Sequence, residues 1–126
     1  QLAALIKVVA AQQWTFLLMV NVALVLLGIF IEPLPAMLLT APLLLPLAQS
    51  FGIDLVHLGV VITANLAIAL YTPPVGGTLF VAAKLAGAGI GEITKALYPL
   101  LIAALVALLV ITYVPSMTSV VWKLFV

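Results

Sequence analysis

Tyr71-Thr72-Pro73-Pro74-Val75-Gly76-Gly77 lies inside an apolar run from Leu55 to Ala86, and it cannot continue as α-helix. Proline has no N–H, and its ring collides with the carbonyl four residues earlier. Pro73 therefore removes the helical donor of the Ala69 carbonyl, and Pro74 removes that of Leu70. Pro73 also drives Thr72 out of the α region. Gly76 and Gly77 then free the backbone to turn before helix resumes. A single proline in a spanning helix is ordinarily a kink, but two prolines followed by two glycines make a full break.

The rest of the chain makes that break consequential. Hydrophobic residues are 67% of the sequence and charged residues 6%, with a mean hydropathy of +1.50. An ordinary soluble domain is about 25% charged. Apolar surface on this scale calls for lipid as solvent, so the expected fold class is an all-α membrane protein. In hydrocarbon an unpaired carbonyl is expensive. The sequence predicts exposed carbonyls from Ala69 to Val75, with the Thr72 hydroxyl among them. Na+ is a natural partner, because unwound backbone supplies oxygen ligands to coupling ions in many secondary transporters. The competing reading is a kink satisfied by nearby hydroxyls and water.

Upstream, residues 1–13 read as an interfacial arm carrying Lys7, Gln12 and Gln13. Residues 14–51 hold two short apolar runs, Trp14–Ile31 and Ala36–Phe51, hinged at Glu32-Pro33-Leu34-Pro35. The first run reaches about 27 Å as a helix, short of a ~30 Å hydrocarbon core. Two ordinary spans joined by a tight turn fit this pattern. So does a re-entrant helical hairpin with its tip near 28–36. Gly52 suits a turn and Asp54 suits the N-cap of the next helix. That helix, 55–86, is expected to be a broken transmembrane helix interrupted at 72–77. Downstream, 87–96 reads as an interfacial connector in which Glu92 and Lys95 form a solvated pair. Residues 97–115 form the last transmembrane helix, and 116–126 a tail anchored by Trp122 and Lys123. The chain opens on Gln1 with the apolar pattern already under way, which reads as an internal or C-terminal piece of a longer protein.

Four further polar residues are candidates, each with a plain alternative. Asn65 stands two turns before Thr72 on the same helical face, facing either a cavity or a neighbouring helix. Glu32 is either an intramembrane functional acid or an interfacial turn residue. Thr40 either faces the same cavity or bonds back to its own helix. His57 reads as interfacial. The chain has no cysteine, one histidine and three acids, so thiol chemistry is excluded and a metal cage is not expected. A formal net charge of +1 without a basic patch gives no sign of nucleic-acid binding. No Ser-His-Asp arrangement or phosphate loop is present, so an enzyme is not expected.

Gly28-Ile29-Phe30-Ile31-Glu32-Pro33, Thr40-Ala41-Pro42 and Leu45-Pro46 resemble the second hairpin of the large membrane subunit of TRAP transporters, the tripartite ATP-independent periplasmic transporters. Gly52-Ile53-Asp54 and His57-Leu58-Gly59 continue the match. Asn65-Leu66-Ala67-Ile68-Ala69, Thr72-Pro73-Pro74-Val75-Gly76 and Leu79-Phe80-Val81-Ala82 carry its most specific part, and Thr112-Tyr113-Val114-Pro115 resembles the end of the last helix. The resemblance implies an ion-transporter-superfamily-like fold in which this chain is one inverted repeat, with a re-entrant hairpin and a broken helix. It implies a multi-pass protein of the bacterial inner membrane that imports organic acids with Na+ by an elevator mechanism. The substrates implied are C4-dicarboxylates, 2-oxo acids, and sialic or other sugar acids. The implied partners are a small membrane subunit and a periplasmic substrate-binding protein. Carried over residue by residue, the family's Na+ site implicates Gly28, Ala69, Thr72 and Val75, mainly through backbone oxygens. Glu32, Pro33, Thr40, Asn65, Pro73, Pro74 and Gly76 are the candidates for the substrate cavity. The family more often has Gly at the position of Ala69 and Asp at that of Glu32. A non-transporting structural subunit is the alternative, and an ion channel would need a longer polar lining than these residues supply.

Overall fold

The computed structural model describes residue 4 and residues 13–73 and 76–126. The arm expected over 1–13 lies outside them except for Ala4 and for Gln13, which opens the first helix. The described residues form six helices: α1 (Gln13–Phe30), α2 (Pro33–Ser50), α3 (Leu55–Ala69), α4 (Gly77–Ala86), α5 (Ile90–Tyr113) and α6 (Pro115–Phe125). Three of them, α1, α2 and α5, are long and apolar enough to cross a membrane.

The chain reverses between α1 and α2 in two residues, Ile31 and Glu32. Pro33 sets the start of α2, where the missing N–H costs nothing because a helix's first turn has no internal acceptor for it. The Glu32 carbonyl accepts the Ala36 N–H at 3.0 Å, so helix begins at once. At the far end Gly52, with φ 70°, turns the chain out of α2. Asp54 then caps α3 by accepting the Val56 N–H at 3.1 Å.

Helix α3 is the hub, touching α1, α2, α5 and α6. Its buried residues His57, Leu58, Val61, Ile62, Asn65, Leu66, Ile68 and Ala69 recur at helical spacing. α1 meets it with Phe16, Leu17, Val20, Asn21, Leu24 and Gly28. α2 approaches through small residues, Ala36 and Ala48, both fully buried. In lipid no hydrophobic force gathers helices, so association depends on such close backbone approach and on interhelical hydrogen bonds. On its other side α3 packs Ile68 against Leu101 and Leu108 of α5. The outward faces, including Leu34, Leu38, Leu43, Leu100 and Val106, are exposed and apolar, as a lipid-facing surface requires.

Two expectations need correction. Only Gly87–Gly89 separate α4 from α5, where the sequence suggested a connector over 87–96. The reason is a capping box: the Glu92 carboxylate accepts the Gly89 N–H at 3.4 Å, so Glu92 serves the helix start instead of pairing with Lys95. His57 is buried within the fold, at 3% exposure.

Candidate functional site

Helix α3 ends at Ala69 and α4 begins at Gly77, so the apolar run is interrupted where the prolines fall. The turn between α1 and α2 lies opposite. A cleft of about 620 Å³ is lined by Gly28–Leu34 on one side and by Leu70, Gly77, Thr78 and Val81 on the other. Glu32 is its one acid and is exposed there.

Gly28, which lines the cleft, packs against Ala69 at the end of α3. A β-carbon built on Gly28 would stand 2.5 Å from the Ala69 β-carbon and 3.3 Å from Leu66 Cδ2. Only glycine lets the hairpin come this near, and the Ala69 methyl already uses the available space.

The break is folded tightly on itself. The Thr72 N–H donates to the Ala69 carbonyl at 3.1 Å, and the Gly76 N–H donates to the Thr72 carbonyl at 3.1 Å. The Thr72 hydroxyl donates to the Ile68 carbonyl at 2.7 Å. Leu70 takes two donors from one residue, the Thr78 N–H at 3.3 Å and the Thr78 hydroxyl at 2.8 Å. A β-carbon on Gly76 would stand 2.6 Å from the Leu70 oxygen and 2.9 Å from that of Thr72, so this fold of the backbone also needs glycine.

These bonds correct the expectation that Ala69 and Leu70 lack partners. A carbonyl oxygen has two lone pairs. Leu70 spends both on Thr78, and Ile68 spends both on Tyr71 and Thr72. Ala69 spends one among the described residues, as does the carbonyl of Thr72, and the Thr72 hydroxyl keeps its acceptor side. Among the described residues, the Ala69 and Thr72 carbonyls and the Thr72 hydroxyl therefore each have room for a further partner.

The other predicted residues separate cleanly. Pro33 joins Glu32 in the cleft. Pro73 lies within the break and is half-buried. Pro74 and Val75 lie outside the described residues. Thr40 does not line the cleft; its hydroxyl donates to the Ala36 carbonyl of its own helix at 2.8 Å. Asn65 does not line it either. Its amide donates to the Asn21 side chain at 2.7 Å and to the Val61 carbonyl at 2.8 Å.

Asn65 opens a buried polar chain that sequence reasoning missed. Asn21 donates onward to the Thr112 hydroxyl at 3.0 Å, and Thr112 donates to the Leu108 carbonyl at 2.7 Å. His57 Nε2 donates to the Thr112 carbonyl at 3.0 Å, because a carbonyl can only accept. His57 Nδ1 lies 2.9 Å from the Thr118 hydroxyl, which also reaches the Pro115 carbonyl at 2.8 Å. One hydroxyl proton cannot serve both. The chain of bonds ties α1, α3, α5 and α6 together. An asparagine inside an otherwise apolar span was the available signal for Asn21.

Residues 1–117 match the family described as the tripartite ATP-independent periplasmic transporter, DctM component. The chain belongs to this family. It is 42% identical over 105 residues to the C4-dicarboxylate TRAP transporter large permease protein DctM of Pseudomonas aeruginosa, covering 83% of this chain and 25% of that protein. It is 46% identical over 100 residues to the isethionate TRAP transporter permease protein DctMQ of Oleidesulfovibrio alaskensis, covering 79% of this chain and 16% of that one. It is 39% identical over 118 residues to the sialic acid TRAP transporter permease protein SiaT of Haemophilus influenzae, covering 94% and 19% respectively. The chain thus spans a quarter or less of the length of these DctM-family relatives.

Proposed function

We propose that this chain forms the C-terminal repeat of a TRAP large membrane subunit and contributes one half of a secondary transporter's translocation site. In this reading the protein imports an organic acid across the bacterial inner membrane, coupled to Na+, by an elevator motion of the repeat. The relatives' names point to small organic anions: C4-dicarboxylates, sialic acid and isethionate. A small membrane subunit and a periplasmic binding protein complete the complex. α1 and α2 act as a re-entrant hairpin whose tip stops in the membrane opposite the break.

One observation carries the reading. The turn between α1 and α2 and the end of α3 come together at Gly28 and Ala69, and in the break the Ala69 and Thr72 carbonyls each accept one bond among the described residues. Na+ would be held by oxygens of Gly28, Ala69, Thr72 and Val75, with Glu32, Pro33, Pro73, Pro74 and Gly76 around the substrate path. Unwound carbonyls beside a half-helix end are the usual construction of such sites.

The structural-subunit reading has one observation of its own: Thr78 satisfies Leu70, so the break needs no ion to be tolerated in lipid. The full-length permease, reconstituted with its partner subunits in proteoliposomes, separates the two. A Na+ gradient should drive organic-acid uptake. Pro73→Ala combined with Pro74→Ala should re-form the helix and abolish that uptake. Normal uptake in the double variant counts against the ion site and favours the kink.

A further inference from the structure

The break poses a specific chemical problem. In an unbroken helix the Leu70 carbonyl would accept the N–H of residue 74, and Pro74 has none. The carbonyl next to it faces the same loss through Pro73, but the Thr72 N–H reaches back to Ala69 at 3.1 Å and supplies one donor. Leu70 is served differently. Thr78, eight residues on and already in α4, gives it both its N–H and its hydroxyl. Gly76 packs against the same oxygen, where a β-carbon would be only 2.6 Å away.

We infer that Thr78 is a positioning residue: a staple that replaces the donor lost at Pro74, joins the start of α4 to the end of α3, and removes Leu70 from the set of possible cation ligands. Both lone pairs of the Leu70 oxygen are occupied, whereas the Ala69 and Thr72 carbonyls each accept one bond among the described residues. The Thr78 bonds tie the start of α4 to the end of α3. That tie limits how far the Ala69 and Thr72 oxygens can move before any ligand arrives. Preorganised ligands bind more tightly because less freedom is lost on binding. The hydroxyl is the essential part, since any residue at 78 other than proline brings an N–H.

The ion-binding consequence rests on the proposed Na+ coupling; the staple itself does not. The test uses the full-length complex in proteoliposomes with wild type, Thr78→Val and Thr78→Ser. Valine keeps the shape and loses the donor, and serine restores the donor. The Na+ concentration for half-maximal uptake should rise about fivefold in the valine variant, the factor for one lost hydrogen bond. It should return to near wild type in the serine variant. Amide exchange over residues 76–80, measured by mass spectrometry, should quicken in the valine variant and recover in the serine variant, while α3 stays unchanged. If wild-type uptake ignores Na+, the coupling reading falls and the exchange measurement alone decides the staple. Unchanged exchange in Thr78→Val overturns the staple whatever uptake does. A Na+ requirement unchanged by valine while exchange quickens overturns its role in the ion site.

Discussion

Gly28 and Ala69 occupy one another's space: the β-carbon that glycine lacks would lie 2.5 Å from the β-carbon that alanine has. The pair sets how near the hairpin can come to the end of α3. Gly28→Ala should therefore push α1 away, at a cost of about 1–3 kcal/mol for overpacking. Thermal unfolding of the purified full-length protein should show the loss. Adding Ala69→Gly should restore most of it. A double variant no better than Gly28→Ala would mean that another neighbour limits the approach.

The Thr72 hydroxyl already donates to Ile68, so its oxygen can contribute to an ion site only as an acceptor. Thr72→Val removes that acceptor and leaves the backbone carbonyls in place. We expect normal expression and a higher Na+ requirement in uptake, on the order of tenfold or less, because the carbonyls supply the other ligands. A Na+ requirement identical to wild type would confine the site to backbone oxygens.

The bond between Asn65 and Asn21 joins α1 to α3. Interhelical hydrogen bonds in membranes average about 0.6 kcal/mol and reach about 1.7. A double-mutant cycle with Asn21→Leu and Asn65→Leu should give a coupling energy in that range by reversible unfolding in mixed micelles. The two single-variant costs should sum to more than the cost of the double, because each single variant already removes the shared bond.

His57 reaches α6 through Thr118 and the end of α5 through the Thr112 carbonyl. His57→Ala should loosen α6 before anything else. Limited proteolysis should cut the region after Pro115 faster, while the hairpin and the break keep wild-type protection. Equal acceleration at the hairpin would show that the polar chain acts as a single unit.

Much of the fold was legible because its signals are local. Paired prolines and glycines end α3 where the sequence says they must, and Gly52 with Asp54 marks the turn before it. The candidate site was legible in its membership but not in its bonding. Losing a helical donor at Leu70 follows from Pro74, but finding a new one at Thr78 depends on how the loop closes in space, which no spacing rule encodes. Asn65 shared a face with Thr72 on paper, but that face turned to Asn21 because α1 packs there. Thr40 bonded to its own helix, the commoner fate of a threonine among apolar neighbours. Thr112 and Thr118 lie more than fifty residues from His57, and only tertiary packing unites them.

The two half-helices also bear on how the chain enters its membrane. α3 has 15 residues and α4 has 10, giving lengths of about 22 Å and about 15 Å against a hydrocarbon core of ~30 Å. Neither is long enough to be accepted by the insertion machinery as a span in its own right. If Leu55–Ala86 is inserted as one apolar stretch, the packing of α1 and α5 against its two halves is what holds the interruption in place. Variants that harm the neighbours' packing should then lower the yield of inserted protein before they touch its activity.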